Sequence, residues 1–238
     1  LLSESTKFKK ISRNPIDSIK KRANKLILLA NHDLPEELQL PQIIGEYAPA
    51  YIYGNVKLHK DCHPLRPIIS KCPTPIYQLS KTINTLIRPF LLNKYGLSST
   101  SEFVDLIKGF PFRKGIVASL DVENLFTNVP VTETIEFILE CLYTPDMPSS
   151  FPIQVMSELL RLRTTEVPFT DPEGVMYVQV DGVAMGSPLG PTFAEFYMNL
   201  VESRVFSDSS LKPPLYCRYV DDIFVLCDDM SHLEKLRN

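Results

Sequence analysis

Residues 215–227, LYCRYVDDIFVLC, set two adjacent carboxylates between two apolar runs. Leu215–Val220 and Ile223–Cys227 are rich in Val, Ile, Tyr and Phe, and each is expected to form a strand. The break is expected at Asp221–Asp222, where a hairpin turn fits. Two acids at the tip of an apolar hairpin are costly unless a positive charge sits beside them. Two readings follow. One is a divalent metal site, and the other is an ordinary surface turn.

The sequence upstream bears on that choice. Residues 115–120, GIVASL, read as a buried strand that delivers Asp121 at its C-terminal end, although a single Asp there is also a common cap. Residues 181–206 begin with a glycine-rich turn, DGVAMGSPLGP, and continue as a helix. Ser187 is expected as its N-cap, Pro188 at its first turn, and Phe193, Phe196, Tyr197, Leu200 and Val201 as its buried side chains. Tyr51–Lys60 and Arg66–Ser70 read as a strand pair carrying Lys57, Lys60 and Arg66. Three cations on one small element suit phosphate contacts, or simply an exposed basic turn.

The remaining segments read as support. Two basic clusters, Lys7–Lys10 and Lys20–Lys25, suggest one N-terminal helix over residues 1–30 with a basic face that is solvated or touches phosphates. Apolar spacing predicts helices over residues 75–92, 98–109, 132–142 and 155–162, a turn at Asp171–Gly174 and a strand at Met176–Val180.

Composition bounds the answer. The 238 residues are 44% hydrophobic and 22% charged, as in ordinary globular proteins, and can bury a sizeable core. The net charge of −3 hides an asymmetry. Residues 1–94 carry 15 Lys and Arg against 7 Asp and Glu, and residues 95–238 carry 10 against 21. A basic part suited to a polyanion therefore adjoins an acidic part suited to cations. The five cysteines form no dense framework, which points to a reducing compartment. His59, Cys62, His63 and Cys72 match no standard zinc-finger spacing. No apolar run is long enough for a membrane span, and the polar, basic N-terminus is not a signal peptide. Both ends read as cut from a longer chain.

Taken in order, a basic hairpin, a strand ending in Asp, a glycine-rich turn with its helix and a hairpin tipped with Asp-Asp resemble reverse transcriptases. Arg66-Pro67-Ile68 looks like the fingers motif, and Asp121 with Phe126 looks like motif A. Asp181–Pro191 looks like motif B, and Tyr219-Val220-Asp221-Asp222 like motif C. The wording KLHKDCHPLRPIIS, SLDVENLFTNVP, DGVAMGSPLGP and RYVDDIF is most similar to Penelope-like retroelements. Asp181 stands where many reverse transcriptases have Gln, which fits that subgroup. Four ordered motifs over roughly residues 50–230 are more specific than any one of them.

The resemblance implies an α+β fold, the fingers and palm of a right-hand polymerase, with an antiparallel palm sheet packed on helices. It assigns residues 1–115 to an N-terminal region and fingers, 116–145 to the first part of the palm, 146–180 to fingers again and 181–238 to the second part of the palm. A thumb is expected beyond residue 238, where Penelope-like proteins often also carry a GIY-YIG endonuclease.

The implied activity is RNA-directed DNA synthesis from dNTPs on a primer 3′-OH, with an RNA template, a DNA primer, no membrane and a nuclear, intracellular setting. Two Mg²⁺ ions, or Mn²⁺ in their place, are implied as cofactors. Asp121 and Asp221 would bridge them, with Asp222 nearby and the Val122 carbonyl as a further ligand. Lys60 and Arg66 would hold the triphosphate, Phe126 would exclude a 2′-OH, and Gly182 would line the template side. The alternatives are an inactive polymerase-like fold kept as an RNA-binding or scaffold module, another two-metal enzyme such as a nuclease, and a telomerase-type or group II intron-type polymerase.

Overall fold

Two periodicities, near 3.6 and 2 residues, account for most of the elements. The structure, a computed structural model, describes residues 2, 6–56, 58, 63, 65–70, 75–111, 114–144 and 152–237. The chain forms two compact units, residues 1–91 with 126–196 and residues 92–125 with 197–238. These breaks fall elsewhere than the subdomain boundaries implied by the resemblance.

In the first unit, α1 (Ile16–Asn31) buries Ile16, Ile19, Ala23, Leu26, Ile27 and Ala30, one stripe at helical spacing. Lys21 and Lys25 stay exposed, as a solvated basic face requires. The first basic cluster is not helical. Phe8–Lys10 is strand β1, with Phe8 buried and both lysines exposed. A stretch of three residues with one apolar side chain has no period to reveal it.

β2 (Ala50–Val56) and β3 (Leu65–Ser70) form an antiparallel pair. Strands β5 (Pro168–Thr170) and β6 (Met176–Gln179) are joined by the expected turn, where Gly174 takes φ 80°. The five strands lie in the order β1-β6-β5-β2-β3. Only β2 and β5 run parallel. Phe8, Ala50, Ile69, Phe169 and Ala184 make the core against this sheet. The Phe169 ring stacks on Tyr177 with centroids 5.8 Å apart. Helices α2 (Pro75–Ile87), α5 (Val131–Leu142) and α6 (Ile153–Thr164) belong to the same unit. Leu79 and Ile83 of α2, Ile135 and Ile138 of α5, and Leu159 and Leu160 of α6 are buried.

The second unit holds α3 (Thr100–Gly109), β4 (Ile116–Asp121), β7 (Leu215–Tyr219), β8 (Asp222–Cys227) and α8 (Met230–Arg237). The three strands are antiparallel in the order β4-β8-β7. Ser99 caps α3 by accepting the Glu102 N–H, and Glu102 accepts the Ser98 N–H in return. These reciprocal bonds satisfy donors that a helix start leaves open. β4 is not buried throughout, contrary to its apolar sequence. Val117, Ser119 and Asp121 are exposed, because β4 is an edge strand of an antiparallel sheet with one open face.

Two further elements complete the path: the short α4 (Leu125–Asn128) after β4, and the 16-residue α7 (Gly190–Val205) after the glycine-rich turn. α7 starts two residues later than expected. Ser187 is not its cap, and Pro191 rather than Pro188 occupies the first turn, where proline's missing N–H costs nothing. Phe193, Phe196 and Leu200 are buried as expected, whereas Tyr197 and Val201 are half-buried. Among the described residues no helix is long and apolar enough to cross a membrane.

Candidate functional site

The acidic residues come together within the second unit. β4 ends at Asp121, and the register of the sheet sets Asp121 directly opposite Asp222 on β8. The Val122 N–H donates to the Asp221 carbonyl at 3.0 Å. That bond flanks the Asp121–Asp222 pair, which is therefore a non-hydrogen-bonded antiparallel pair with Cα atoms about 4.5 Å apart. Side chains directly opposite share one face of the sheet, and like charges there destabilise it. A cation beside the pair removes that penalty. Asp121 and Asp222 are exposed, and Asp221 is half-buried.

The hairpin turn falls one residue earlier than expected. Tyr219 pairs with Asp222, so the two-residue loop is Val220–Asp221, and Asp222 is the first residue of β8. Pairing with both neighbouring strands draws Asp222 into the sheet despite its turn propensity. Val220 takes φ 59°. A β-branched side chain is strained in that region, by about 1–3 kcal/mol.

A buried ion pair lies behind the turn. Arg218 is fully buried, and its Nε donates to Glu202 Oε1 on α7 at 2.6 Å. Its Nη2 reaches Glu202 Oε2 at 3.4 Å, and its Nη1 donates to the Val220 carbonyl at 3.0 Å. The Tyr216 hydroxyl donates to Glu202 Oε1 at 3.0 Å. Burial and the adjacent carboxylate push that hydroxyl's pKa up, so it stays protonated as a donor. The sequence reading missed Arg218 and Glu202. The available signal was a charge at the centre of an apolar strand, which needs a partner wherever it is buried.

The glycine-rich turn belongs to the first unit. Gly182 has φ 73°, and a Cβ on it would stand 2.6 Å from the Thr127 carbonyl oxygen. Gly186 has φ 99°, and a Cβ there would stand 3.0 Å from the Ile69 oxygen. Only glycine meets both demands. The Val183 N–H donates to the Phe126 carbonyl at 2.8 Å, and the Ile69 N–H donates to the Met185 carbonyl at 3.1 Å. Phe126 is half-buried, and its ring would lie 3.7 Å from a Cβ at Gly190.

Asp181 has a structural role that its motif position did not reveal. Its Oδ1 accepts the Val131 N–H at 3.0 Å, capping α5 from 50 residues away. Its Oδ2 faces Lys7 Nζ at 3.3 Å. A carboxylate at a helix N-terminus satisfies an open donor and complements the helix dipole.

Of the expected phosphate ligands, Arg66 is exposed on β3 opposite Asn55. Lys57 and Lys60 lie outside the described residues, as do His59, Cys62 and Cys72 of the weighed zinc set.

The donor set can be tested against the implied Mg²⁺. Among the described residues no group of three or more His, Cys, Asp or Glu side chains could hold a metal ion unaided. The three acids are thus not a closed cage. Mg²⁺ does not require one, since it binds one or two carboxylates and takes its remaining oxygens from substrate phosphates and water. Two facing carboxylates with a third in the adjoining turn fit that chemistry. Val122 is pinned beside the turn by the bond from its own N–H to the Asp221 carbonyl.

Comparison with known proteins identifies a family. A family model described as "Reverse transcriptase (RNA-dependent DNA polymerase)" matches residues 58–238. No curated protein matches the sequence. Among solved structures, apo telomerase from Candida tropicalis is similar at 12% identity and TM-score 0.61, over 88% of this chain and 44% of that one. A form of it truncated from the C-terminal domain gives 14% identity and TM-score 0.56, over 89% and 50%. Telomerase from Candida albicans, in complex with the TWJ fragment of telomeric RNA, gives 13% and 0.55, over 87% and 41%. The chain spans half or less of these chains' length. Identities this low speak for the fold alone, which is the mixed α/β fold of polymerase fingers and palm.

Proposed function

Because the chain belongs to the reverse transcriptase (RNA-dependent DNA polymerase) family, we propose that it is the fingers-and-palm part of a reverse transcriptase from a Penelope-like retroelement. The proposed activity is nucleotidyl transfer from a dNTP to a DNA primer 3′-OH on an RNA template, in the nucleus. The observation that carries this reading is the register of Asp121 against Asp222, with Asp221 in the adjoining turn. The wording of the four motifs supports the Penelope-like assignment.

In this reading the five-stranded sheet serves the fingers and the three-stranded sheet the palm, with the subdomain division at 115/116, 145/146 and 180/181. Asp121, Asp221 and Asp222, with the Val122 carbonyl, would hold two Mg²⁺ ions. Bound there, the metal supplies activation of the 3′-OH and charge neutralisation on the leaving pyrophosphate.

The chain's own groups do the positioning, which is most of the catalytic task in phosphoryl transfer. Arg66 and Lys60 bind the triphosphate, Arg with a fork and Lys as a point charge. Phe126 stands against the sugar and rejects a 2′-OH. Gly182 and its neighbours line the template–nucleotide side.

Primer extension by the full-length protein tests the reading, using an RNA template, a DNA primer, dNTPs and Mg²⁺. Extension that Asp121→Asn abolishes is the expected result. Extension by Asp121→Asn at the wild-type rate would refute the assignment. A folded wild-type protein that binds RNA and never incorporates a nucleotide would favour the scaffold alternative.

A further inference from the structure

The turn that presents Asp221 is held in an unfavourable backbone conformation, and one side chain holds it. Val220 has φ 59°, which an isolated Val-Asp loop would leave. Its carbonyl accepts a hydrogen bond from Arg218 Nη1. Arg218 is itself immobilised from several directions. Its Nε and Nη2 grip both oxygens of Glu202. Its backbone N–H donates to the Tyr95 carbonyl at 2.9 Å, and its own carbonyl accepts the Leu97 N–H at 2.7 Å. Glu202 takes a further bond from the Tyr216 hydroxyl.

Stability alone does not account for such a pair. Buried ion pairs are frequently no more stabilising than apolar side chains of the same size. What an apolar pair cannot do is donate to the Val220 carbonyl. The guanidinium fork serves both tasks from one rigid plane, and a lysine ammonium has no such plane.

We infer that Arg218, oriented by Glu202, is a positioning residue of the carboxylate site. It fixes the Val220 carbonyl and so keeps Asp221 and Asp222 in register with Asp121. The inference rests on the polymerase reading for its activity readout and on the hairpin geometry for the rest.

The test uses two variants of the full-length protein. Arg218→Lys keeps the charge and loses the fork. The combination Arg218→Met, Glu202→Met and Tyr216→Phe removes the pair with no buried charge left behind. Three quantities are measured: thermal melting, kcat and KM for dNTP in RNA-templated extension, and amide exchange of Val122 in metal-free protein. Val122 reports the hairpin directly, because its N–H bonds to the Asp221 carbonyl.

The expected result is cooperative melting near wild type in the triple variant. Both variants should show kcat lowered at least ~10-fold, KM for dNTP within ~2-fold, and Val122 exchange at least ~10-fold faster. Adding Val220→Gly to Arg218→Lys should recover part of kcat, since glycine holds a positive φ without a clamp. A triple variant with wild-type melting, wild-type kcat and unchanged Val122 exchange overturns the inference, as does Arg218→Lys with both readouts unchanged. Asp121→Asn run in parallel separates the two claims. A wild-type protein that never extends a primer sinks the polymerase reading, activity that survives in Asp121→Asn sinks the carboxylate-site assignment, and activity lost in Asp121→Asn and kept in the Arg218 variants sinks only the clamp.

Discussion

Of the turns that hold a positive φ, the glycine-rich turn and the acidic hairpin do so by opposite means. In the glycine-rich turn of the first unit, Gly182 and Gly186 take φ 73° and 99° because nothing on their Cα forbids it. In the hairpin turn of the second unit, a valine takes φ 59° under restraint from a buried arginine. The first turn is specified by local residue choice and the second by tertiary enforcement. A conformation imposed from outside stores strain, and strain of this kind gathers where geometry matters for function. The proposed role of the hairpin as the carrier of two acids fits that rule.

The largest effect should come from what the enforced turn presents. Asp121→Asn and Asp221→Asn should each lower nucleotide incorporation by roughly 10³-fold or more while far-UV circular dichroism stays unchanged, since only charge is removed. Retained incorporation would break the link between strain and function.

Next in size is the freely adopted turn. Gly182→Ala must tolerate both the positive φ and a Cβ 2.6 Å from the Thr127 oxygen. It should lose about 2–3 kcal/mol in urea unfolding. Val220→Gly is its mirror image. It releases strain but frees the unfolded chain, and should stay within about 1 kcal/mol of wild type. Equal losses in the two would erase the contrast between specified and enforced turns.

Phe126 tests whether the glycine-rich region also sets substrate choice. Phe126→Ala should raise the use of rNTP relative to dNTP by roughly 10-fold, measured by single-nucleotide incorporation. Unchanged sugar selectivity would leave the ring a packing role only. The smallest effect concerns Asp181. Asp181→Ala removes the cap of α5 and should cost about 1 kcal/mol, whereas Asp181→Asn keeps an acceptor for the Val131 N–H and should cost less.

The same contrast explains what could be read from the sequence. Elements with a clear period were legible: α5 and α6 by apolar spacing, and β7 and β8 by Val, Ile, Tyr and Phe, while α1 was read from its basic residues and with its start too early. The glycines of the motif B turn were legible because residue type and backbone demand coincide there. β1 and β5 were not, since three residues carry no period and β5 begins with Pro168. The hairpin turn was misplaced by one residue because local propensity favours Asp at a turn, while β4 and β7 both pair with Asp222. The contacts of Asp181 and Arg218 were passed over for one reason. Their partners, Val131 and Glu202, are 50 and 16 positions away, and no local pattern announces them.

The central claim is that Asp121 and the two hairpin acids share a metal. Anomalous diffraction tests it most directly, from crystals of the full-length protein soaked with Mn²⁺ and a non-hydrolysable dNTP. The account predicts an anomalous peak within coordination distance of Asp121 and a hairpin acid, lost in Asp121→Asn. Mn²⁺ bound away from these residues, or bound unchanged in Asp121→Asn, would contradict it.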